Sequence, residues 1–235
     1  MTVKQIVAVG GALLAPETGN FKLERYILDA CGKPKPRVCY VPTASGEDTN
    51  YVSRFFETYA RFGLELDVLR FFRRTPEDLR EFLFGFDVVH VGGGNTRSML
   101  AVWRHWGFDA VVREAWERGI VLCGSSAGSI CWFEEGLTDS VAGDLLPMEC
   151  LGFVGGSNCP HYDGEKDRRP SYQRLVGSGA MRAGIACDDG VALHYKDEAL
   201  HAIVSSRPPA RAYRVEQAGG APKETPLDAL ALIRN

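Results

Sequence analysis

The sequence predicts a three-layer α/β/α fold built on a mostly parallel central sheet. Short apolar runs rich in Val, Ile and Leu alternate with amphipathic, helix-like segments through the first 135 residues. Continuous apolar runs of this kind are typical of parallel strands that are buried on both faces. Several runs also end in glycine-rich turns, which mark strand ends. The length and the 45% apolar content allow one buried core, so we expect a single domain over residues 1–235.

The first part of this pattern contains two strands and two helices. Residues 4–9 form an apolar run that stops at two glycines, which predicts a strand. Asn20 predicts the start of a helix over residues 21–30, because its side chain can accept a hydrogen bond from a free helix N–H group. Residues 38–41 are a second apolar strand. An amphipathic helix is predicted over residues 49–61.

The next part repeats the alternation. Residues 64–69 alternate apolar and polar side chains, which predicts a half-buried strand near an edge of the sheet. Thr75 and Pro76 predict a helix start, since Thr caps helices and Pro suits the first helical position. Residues 87–91 form another strand, and a helix over residues 108–118 leads into the next apolar run.

The pattern loosens after residue 140. Residues 155–180 are rich in Gly, Pro and charged side chains, and we expect a long loop there that covers the carboxyl edge of the sheet. Strand-like pieces resume at Ile185 and predict a small antiparallel extension.

Composition and charge exclude several classes of function. The net charge is −3 and the basic residues are dispersed, which argues against a nucleic-acid partner. No apolar segment approaches the roughly 20 residues that span a bilayer, and the early strand argues against a signal peptide. The seven cysteines contain no C-x-x-C pair, so neither a disulfide framework nor a zinc site is expected. We expect a cytoplasmic protein without a membrane partner, a metal or another cofactor. A homodimer is one option for its assembly.

The segment GSSAG at residues 124–128 fits the pattern G-x-S-x-G, with Ser126 at its centre. A strand that turns abruptly into a helix projects the central side chain from the strand end, and small neighbours avoid clashes in that turn. The pattern predicts that Ser126 is a nucleophile. The alternative is a strand-to-helix turn without chemistry.

The segment GGGNT at residues 92–96 also follows a strand and precedes a helix. Open α/β folds bind ligands at this edge of the sheet. Its glycines let the backbone approach a reacting group, so an N–H group of this loop is predicted to bind an oxyanion together with the N–H of Ala127. A phosphate loop is the alternative, but G-x-G-x-x-G and the P-loop lysine are both missing.

A serine nucleophile needs a base and an acid that orients it. His161 lies where a strand-like segment meets the polar region, which makes it the first candidate base, and His201 is the second. His90 lies within an apolar strand and is interpreted as structural. Asp188 and Asp189 precede a glycine and are the candidate acids, although a solvated turn is an equal alternative.

Four segments together carry a resemblance to a known family. The sequence resembles the peptidase E family of α-aspartyl dipeptidases, which are serine peptidases with a class I glutamine amidotransferase-like fold. The segments match its glycine loop, elbow, base segment and acid turn in that order: GGGNT at 92–96, GSSAG at 124–128, NCPHY at 158–162 and ACDDG at 186–190.

The resemblance implies roles for five residues. Ser126 is the implied nucleophile and His161 the implied base. Asp189 is the implied acid in place of the family's Glu, and the neighbouring aspartate remains an alternative. Gly94 and Ala127 are the implied oxyanion donors through their backbone N–H groups.

Substrate recognition departs from the family pattern. Aspartate-specific members have an Arg shortly before a Q-R pair, and Ser171 occupies the matching position here. Arg169, or its neighbour Arg168, is the candidate replacement. Asp139 lies near a family acid that binds the substrate's α-amino group, although a helix-capping role is an equal alternative.

These expectations describe an enzyme that hydrolyses short peptides, a dipeptidase in its most specific form, through a Ser-His-Asp triad and an acyl-enzyme. Its partner would be a short peptide substrate. Three alternatives stay open: an α/β-hydrolase-type esterase that uses His201, a cyanophycinase-like enzyme that cleaves a β-linked aspartyl-arginine polymer, and a binding protein that retains the pocket without turnover.

Overall fold

The computed structural model describes residues 2–232. Its strands in chain order are β1 (Gln5–Val9), β2 (Val38–Val41), β3 (Leu66–Val68), β4 (Val88–Val91), β5 (Val121–Ser125), β6 (Phe133–Thr138), β7 (Leu146–Glu149), β8 (Val154–Cys159), β9 (Gly184–Cys187), β10 (Val191–Lys196), β11 (Ala199–Ser205), β12 (Ala212–Ala218), β13 (Ala221–Leu227) and β14 (Leu230–Ala231). Its α-helices are α1 (Lys22–Cys31), α2 (Thr49–Ala60), α3 (Leu79–Leu83), α4 (Thr96–Trp106), α5 (Phe108–Glu117), α6 (Ala127–Ile130) and α7 (Arg168–Gly177). None of these helices is long and apolar enough to cross a membrane.

The central sheet has the strand order β14-β11-β10-β1-β5-β4-β2-β3. The pairs β1–β5, β5–β4, β4–β2 and β2–β3 are parallel, whereas β10 pairs antiparallel with both β1 and β11. β2 and β4 are buried along their whole length, as apolar runs predict for parallel strands. β3 forms the partly buried edge that its alternating sequence predicts. The predicted α/β fold class is confirmed.

Helices cover both faces of this sheet. Adjacent strand residues point to opposite sides, so Ile6 belongs to one apolar cluster and Val7 to the other. Phe55 of α2 packs in the cluster of Val7, and Trp103 of α4 packs in the cluster of Ile6. Full burial of a side chain such as Phe contributes about 1.5–3 kcal/mol. The two clusters therefore hold the layers together and fix the sheet edge where the strands end.

A second sheet has the order β13-β12-β9-β8-β6-β7. The pairs β9–β12 and β12–β13 are antiparallel, which confirms part of the predicted extension. β10 and β11 instead join the central sheet.

The prediction of a long loop over residues 155–180 is wrong. Most of β8 and all of α7 lie in this segment. Gly156 sits within β8 at a positive φ of 81°. Pro170 is the third residue of α7, where a backbone N–H has no intrahelical acceptor and its loss costs nothing. Glycine and proline therefore occupy positions that tolerate them, and their presence does not indicate a loop here.

The predicted start of α3 is also wrong. The helix begins at Leu79, and Asp78 rather than Thr75 caps it. Asp78 Oδ1 accepts hydrogen bonds from the N–H groups of Arg80 and Glu81 at 2.8 and 2.9 Å. A carboxylate that accepts two helix N–H groups favours this later start.

Candidate active site

Ser126 occupies a tight bend between β5 and α6. Its φ of 57° and ψ of −117° form a conformation that side-chain-bearing residues rarely adopt. The flanking glycines pack directly on β4: an added Cβ would lie 2.4 Å from the Val91 oxygen at Gly124 and 2.2 Å from it at Gly128. The bend therefore requires the small residues that the sequence pattern provides.

Two backbone N–H groups beside Ser126 are free. Within residues 2–232, neither Gly94 nor Ala127 donates a backbone hydrogen bond. Gly94 has a φ of 131°, and an added Cβ would lie 2.3 Å from the Ala44 oxygen, so only glycine fits. Ala127 is the first residue of α6, where an N–H has no intrahelical acceptor. The two free donors have the character of an oxyanion site.

His161 is joined to Asp189 at the end of β1. The His161 N–H donates to the Gly10 oxygen at 3.0 Å, which anchors the segment after β8 on β1. The Nδ1 atom of His161 lies 2.7 Å from Oδ1 of Asp189. An added Cβ at Gly11 would lie 1.9 Å from that carboxylate oxygen, so a glycine leaves room for the pair. An imidazole that donates from Nδ1 to a carboxylate keeps Nε2 available as a base.

The neighbouring aspartate has another partner. Asp188 is buried, and its Oδ2 accepts a hydrogen bond from the Arg211 N–H at 3.0 Å. Burial raises the pKa of the Asp188 carboxyl. The structure therefore brings Asp189, not Asp188, to the imidazole.

Two residues that sequence reasoning missed support the acid turn. The Asp189 N–H donates to Asp163 Oδ1 at 2.8 Å. Arg207 donates from Nε and Nη2 to the Asp189 carbonyl oxygen at 3.2 and 3.0 Å, and it also bonds the Asp163 carboxylate. Asp163 and Arg207 are 44 positions apart, so no local pattern could have revealed them.

Ser126 and His161 line the same cavity of about 290 Å³. No hydrogen bond joins the Ser126 hydroxyl to His161, and bonds of this kind in catalytic pairs often form only in the complex with substrate. A larger surface groove of about 1100 Å³ beside α3 and α5 is lined by no Ser, Cys or His. The remaining residues that line the smaller cavity are Ala12, Leu13, Leu14, Ala15, Tyr40, Tyr51, Arg54, His90, Gly92, Gly93, Gly94 and Ser125.

The two predicted substrate-binding residues lie outside this lining. Arg169 forms an ion pair with Glu224 and lies over the Tyr213 ring, 4.8 Å from its centroid. Asp139 pairs with the buried Arg168 at 3.5 Å. Both charges are already matched by protein groups away from Ser126.

The second candidate base is also elsewhere. His201 contacts the ring of His194 at 5.3 Å between centroids and does not line the cavity. His194 bonds Tyr26 and Gln5, and burial lowers its pKa to about 4. Of the candidate histidines, His161 is the one that shares a cavity with Ser126 and a hydrogen bond with a carboxylate.

Neither the cysteines nor a metal site offers an alternative centre. Cys123 and Cys131 are fully buried, and burial raises the pKa of both thiols well above its ordinary range. Within residues 2–232, no group of three or more His, Cys, Asp or Glu is arranged to hold a metal ion.

Two polar residues of the cavity lining were not predicted as site residues. Tyr40 and His90 are fully buried, and the Tyr40 hydroxyl and His90 Nε2 have no hydrogen-bond partner in the described chain. The sequence signal was a polar side chain inside an apolar strand, which indicates a structural residue just as well.

Comparison with known proteins identifies related peptidases. Residues 6–203 match the profile of peptidase family S51. The chain is 48% identical to the uncharacterized peptidase YgaJ of Bacillus subtilis (strain 168) over 225 residues, which cover 96% of this chain and 97% of that protein.

Two solved structures share the fold. A peptidase from an acI-B1 actinobacterium has a TM-score of 0.67 at 18% identity, covering 97% of this chain and 95% of that one. A putative peptidase E protein from Listeria monocytogenes EGD-e has a TM-score of 0.65 at 19% identity, covering 88% of this chain and 99% of that one. The resemblance to peptidase E that the motifs predict is confirmed.

Proposed function

The chain belongs to peptidase family S51, and on this basis we propose that it is a serine dipeptidase that acts through Ser126, His161 and Asp189. The observation that carries the proposal is the 2.7 Å contact between His161 Nδ1 and Asp189 Oδ1, in a cavity that also contains the strained Ser126. Family membership supports the peptidase activity. The dipeptide substrate and the Ser126-His161-Asp189 triad are what we propose beyond it.

In the first half of the reaction, His161 Nε2 takes the proton of Ser126 as its oxygen attacks the scissile carbonyl carbon. Asp189 stabilises the imidazolium that forms. The negative charge on the carbonyl oxygen is stabilised by the N–H groups of Gly94 and Ala127, which have no other acceptor in the described chain.

In the second half, His161 returns the proton to the leaving amine, and the acyl group remains on Ser126. Water, deprotonated by His161, then attacks the ester and releases the free acid. A volume of about 290 Å³ is at the lower end of small-molecule pockets, which supports a short substrate.

The experiment is hydrolysis of a dipeptide panel, with free and blocked termini, by the native chain and by Ser126→Ala. We expect Ser126→Ala to lower kcat/KM by roughly a millionfold, as in other serine peptidases that lose the nucleophile. Ser125→Ala is the matched control, because Ser125 lines the same cavity one residue away. It is expected to retain most of the activity.

The same panel separates the alternatives. Turnover of esters and of the β-linked aspartyl-arginine polymer, without turnover of dipeptides, would replace the proposal by an esterase or a cyanophycinase-like enzyme. Binding of dipeptides without any turnover would favour a binding protein.

A further inference from the structure

We propose that Tyr40 and His90, at the β4 end of the cavity, form a subsite. This subsite binds a neutral carboxamide side chain, that of Asn or Gln. The subsite itself is inferred from the geometry of these two residues. Its assignment to the acyl residue of the peptide rests on the proposed function.

Tyr40 and His90 are direct neighbours in the parallel pair of β2 and β4. Their rings meet edge to face with centroids 5.6 Å apart. The Tyr40 ring also stacks on Phe55 at 4.7 Å, which holds the ring in place. An added Cβ at Gly92 would lie 2.5 Å from the Tyr40 hydroxyl, so this hydroxyl lies directly against the glycine loop.

Both of these cavity-lining residues carry a polar atom without a partner in the described chain. Each side chain is fully buried and lines the cavity, and neither the Tyr40 hydroxyl nor His90 Nε2 has a partner within residues 2–232. A buried polar atom without a partner is unfavourable, so a ligand that provides both partners gains affinity.

Hydrogen bonding fixes which atom of His90 carries its proton. The Tyr59 hydroxyl lies 3.0 Å from His90 Nδ1 and has no other partner in the described chain. Because a buried hydroxyl proton requires an acceptor, Tyr59 donates to Nδ1. Burial lowers the pKa of His90 to about 3, so the ring is neutral and its one proton lies on Nε2.

The two atoms therefore match a carboxamide. His90 Nε2 and the Tyr40 hydroxyl both donate to the amide oxygen, which has two lone pairs. Both protein groups are uncharged, whereas burial of a carboxylate requires a matching charge.

The charged groups around the subsite do not supply that charge. Arg54 lines the cavity, but its side chain is half-exposed and lies 3.5 Å from the Glu17 carboxylate. Glu24 is buried beside the cavity, where it accepts a hydrogen bond from the Leu14 N–H at 3.0 Å. The Arg54 charge is therefore already paired, and a neutral ligand is favoured.

The strand order assigns the subsite to the acyl side. His161 is anchored on Gly10 at the end of β1, whereas Tyr40 and His90 belong to β2 and β4. β5, which carries Ser126, lies between these two sides in the sheet. Since the base protonates the leaving amine, the leaving amine lies on the β1 side and the acyl side chain on the β4 side.

The test measures dipeptide binding to the Ser126→Ala chain by calorimetry, so it does not depend on turnover. The three ligands are Asn-Leu, Asp-Leu and Leu-Leu, whose first side chains are similar in size. We expect Asn-Leu to bind at least about tenfold more tightly than the other two, because a site built for hydrogen bonds rejects analogues that lack them. Tyr40→Phe in the same background should reduce this preference at least about threefold.

Tyr26→Phe is the matched control, since the Tyr26 hydroxyl bonds His194 at 2.8 Å and lies outside the cavity lining. It should leave the preference unchanged. Tightest binding of Asp-Leu, lost in Arg54→Gln, would overturn the inference, as would a preference for Leu-Leu or a preference that survives Tyr40→Phe.

The dipeptidase proposal can fail separately. If the native chain hydrolyses no peptide but the Ser126→Ala chain still prefers Asn-Leu, the proposed dipeptidase activity is wrong and the proposed subsite is supported. If the native chain hydrolyses Asp-Leu fastest, the proposed dipeptidase activity is supported and the proposed subsite is wrong.

Discussion

The two ends of the cavity use the same kind of residue in opposite ways. At the β1 end, His161 is partly exposed and its Nδ1 contacts the carboxylate of Asp189. At the β4 end, His90 is fully buried, its Nδ1 contacts the Tyr59 hydroxyl, and burial lowers its pKa to about 3. The first imidazole has the carboxylate partner that a general base needs, whereas the second stays neutral.

This comparison of His161 with His90 indicates that the partner and the burial of a histidine decide its role. A carboxylate partner stabilises the imidazolium and suits a base. A hydroxyl partner in an apolar environment suits a fixed hydrogen-bond donor. The following predictions test this contrast, beginning with the greatest loss of activity.

Loss of the base has the largest expected effect. His161→Ala should lower kcat/KM for dipeptides by roughly a millionfold, because the serine hydroxyl then has no group to take its proton. His201→Ala should lower it less than about threefold. Steady-state kinetics on both variants tests the contrast, and it fails if His201→Ala is the inactive one.

Loss of the orienting acid comes next. Asp189→Asn should lower kcat by roughly ten-thousandfold, since the amide favours the wrong imidazole tautomer. Asp188→Asn can still accept from the Arg211 N–H, so we expect less than about a tenfold loss. The kcat values of the two variants decide which aspartate is the acid, and equal losses would contradict the assignment.

Loss of Arg207, which holds the turn that carries Asp189, should have a smaller effect on kcat. Arg207→Met removes the hydrogen bonds to the Asp189 carbonyl and to Asp163. We expect kcat to fall roughly tenfold, equivalent to about 1.4 kcal/mol, with KM unchanged and the acid limb of the pH–rate profile shifted. Arg207→Lys should restore part of the loss. An unchanged pH–rate profile would show that Arg207 has a structural role only and does not position Asp189.

The last effect is on stability, and it concerns Glu24, whose carboxylate accepts a hydrogen bond from the N–H of the cavity-lining Leu14. Burial raises the pKa of Glu24 from 4.5 to about 6, so ionisation is less favourable in the fold than in the unfolded chain. The stability associated with protonated Glu24 is therefore present below pH 4.5 and lost as the pH rises through 6, by about 2 kcal/mol.

Glu24→Gln removes this titration but can still accept from Leu14. Its free energy of unfolding, relative to the native chain, should rise by about 2 kcal/mol between pH 4 and pH 7. Denaturant titrations at the two pH values measure this difference, and a constant difference would contradict the assignment.

Much of the fold could be predicted because it depends on local patterns. The buried strands β2 and β4 appear as apolar runs, and the bend at Ser126 appears as glycines that must pack on the Val91 backbone. Where a pattern tolerates more than one structure, prediction failed. Pro170 in the first turn of α7 is one case, because proline at this position is compatible with both a loop and a helix.

The site was harder to predict because its contacts join distant segments. His161 and Asp189 are 28 positions apart, and the residues alone made them candidates beside His201 and Asp188 without deciding between these. Arg169 was a reasonable candidate for the substrate, yet Glu224 neutralises it from β13, 55 positions away. Tyr40 and His90 lie on adjacent strands, and nothing in either strand's own sequence indicates that a cavity opens beside them.

Covalent labelling can show whether Ser126 is the nucleophile. The native chain is treated with a fluorophosphonate, digested and analysed by mass spectrometry. We expect one adduct, on Ser126, that forms at least about a thousandfold more slowly in His161→Ala. An adduct on Ser125 or elsewhere, or labelling at the native rate without His161, would contradict it.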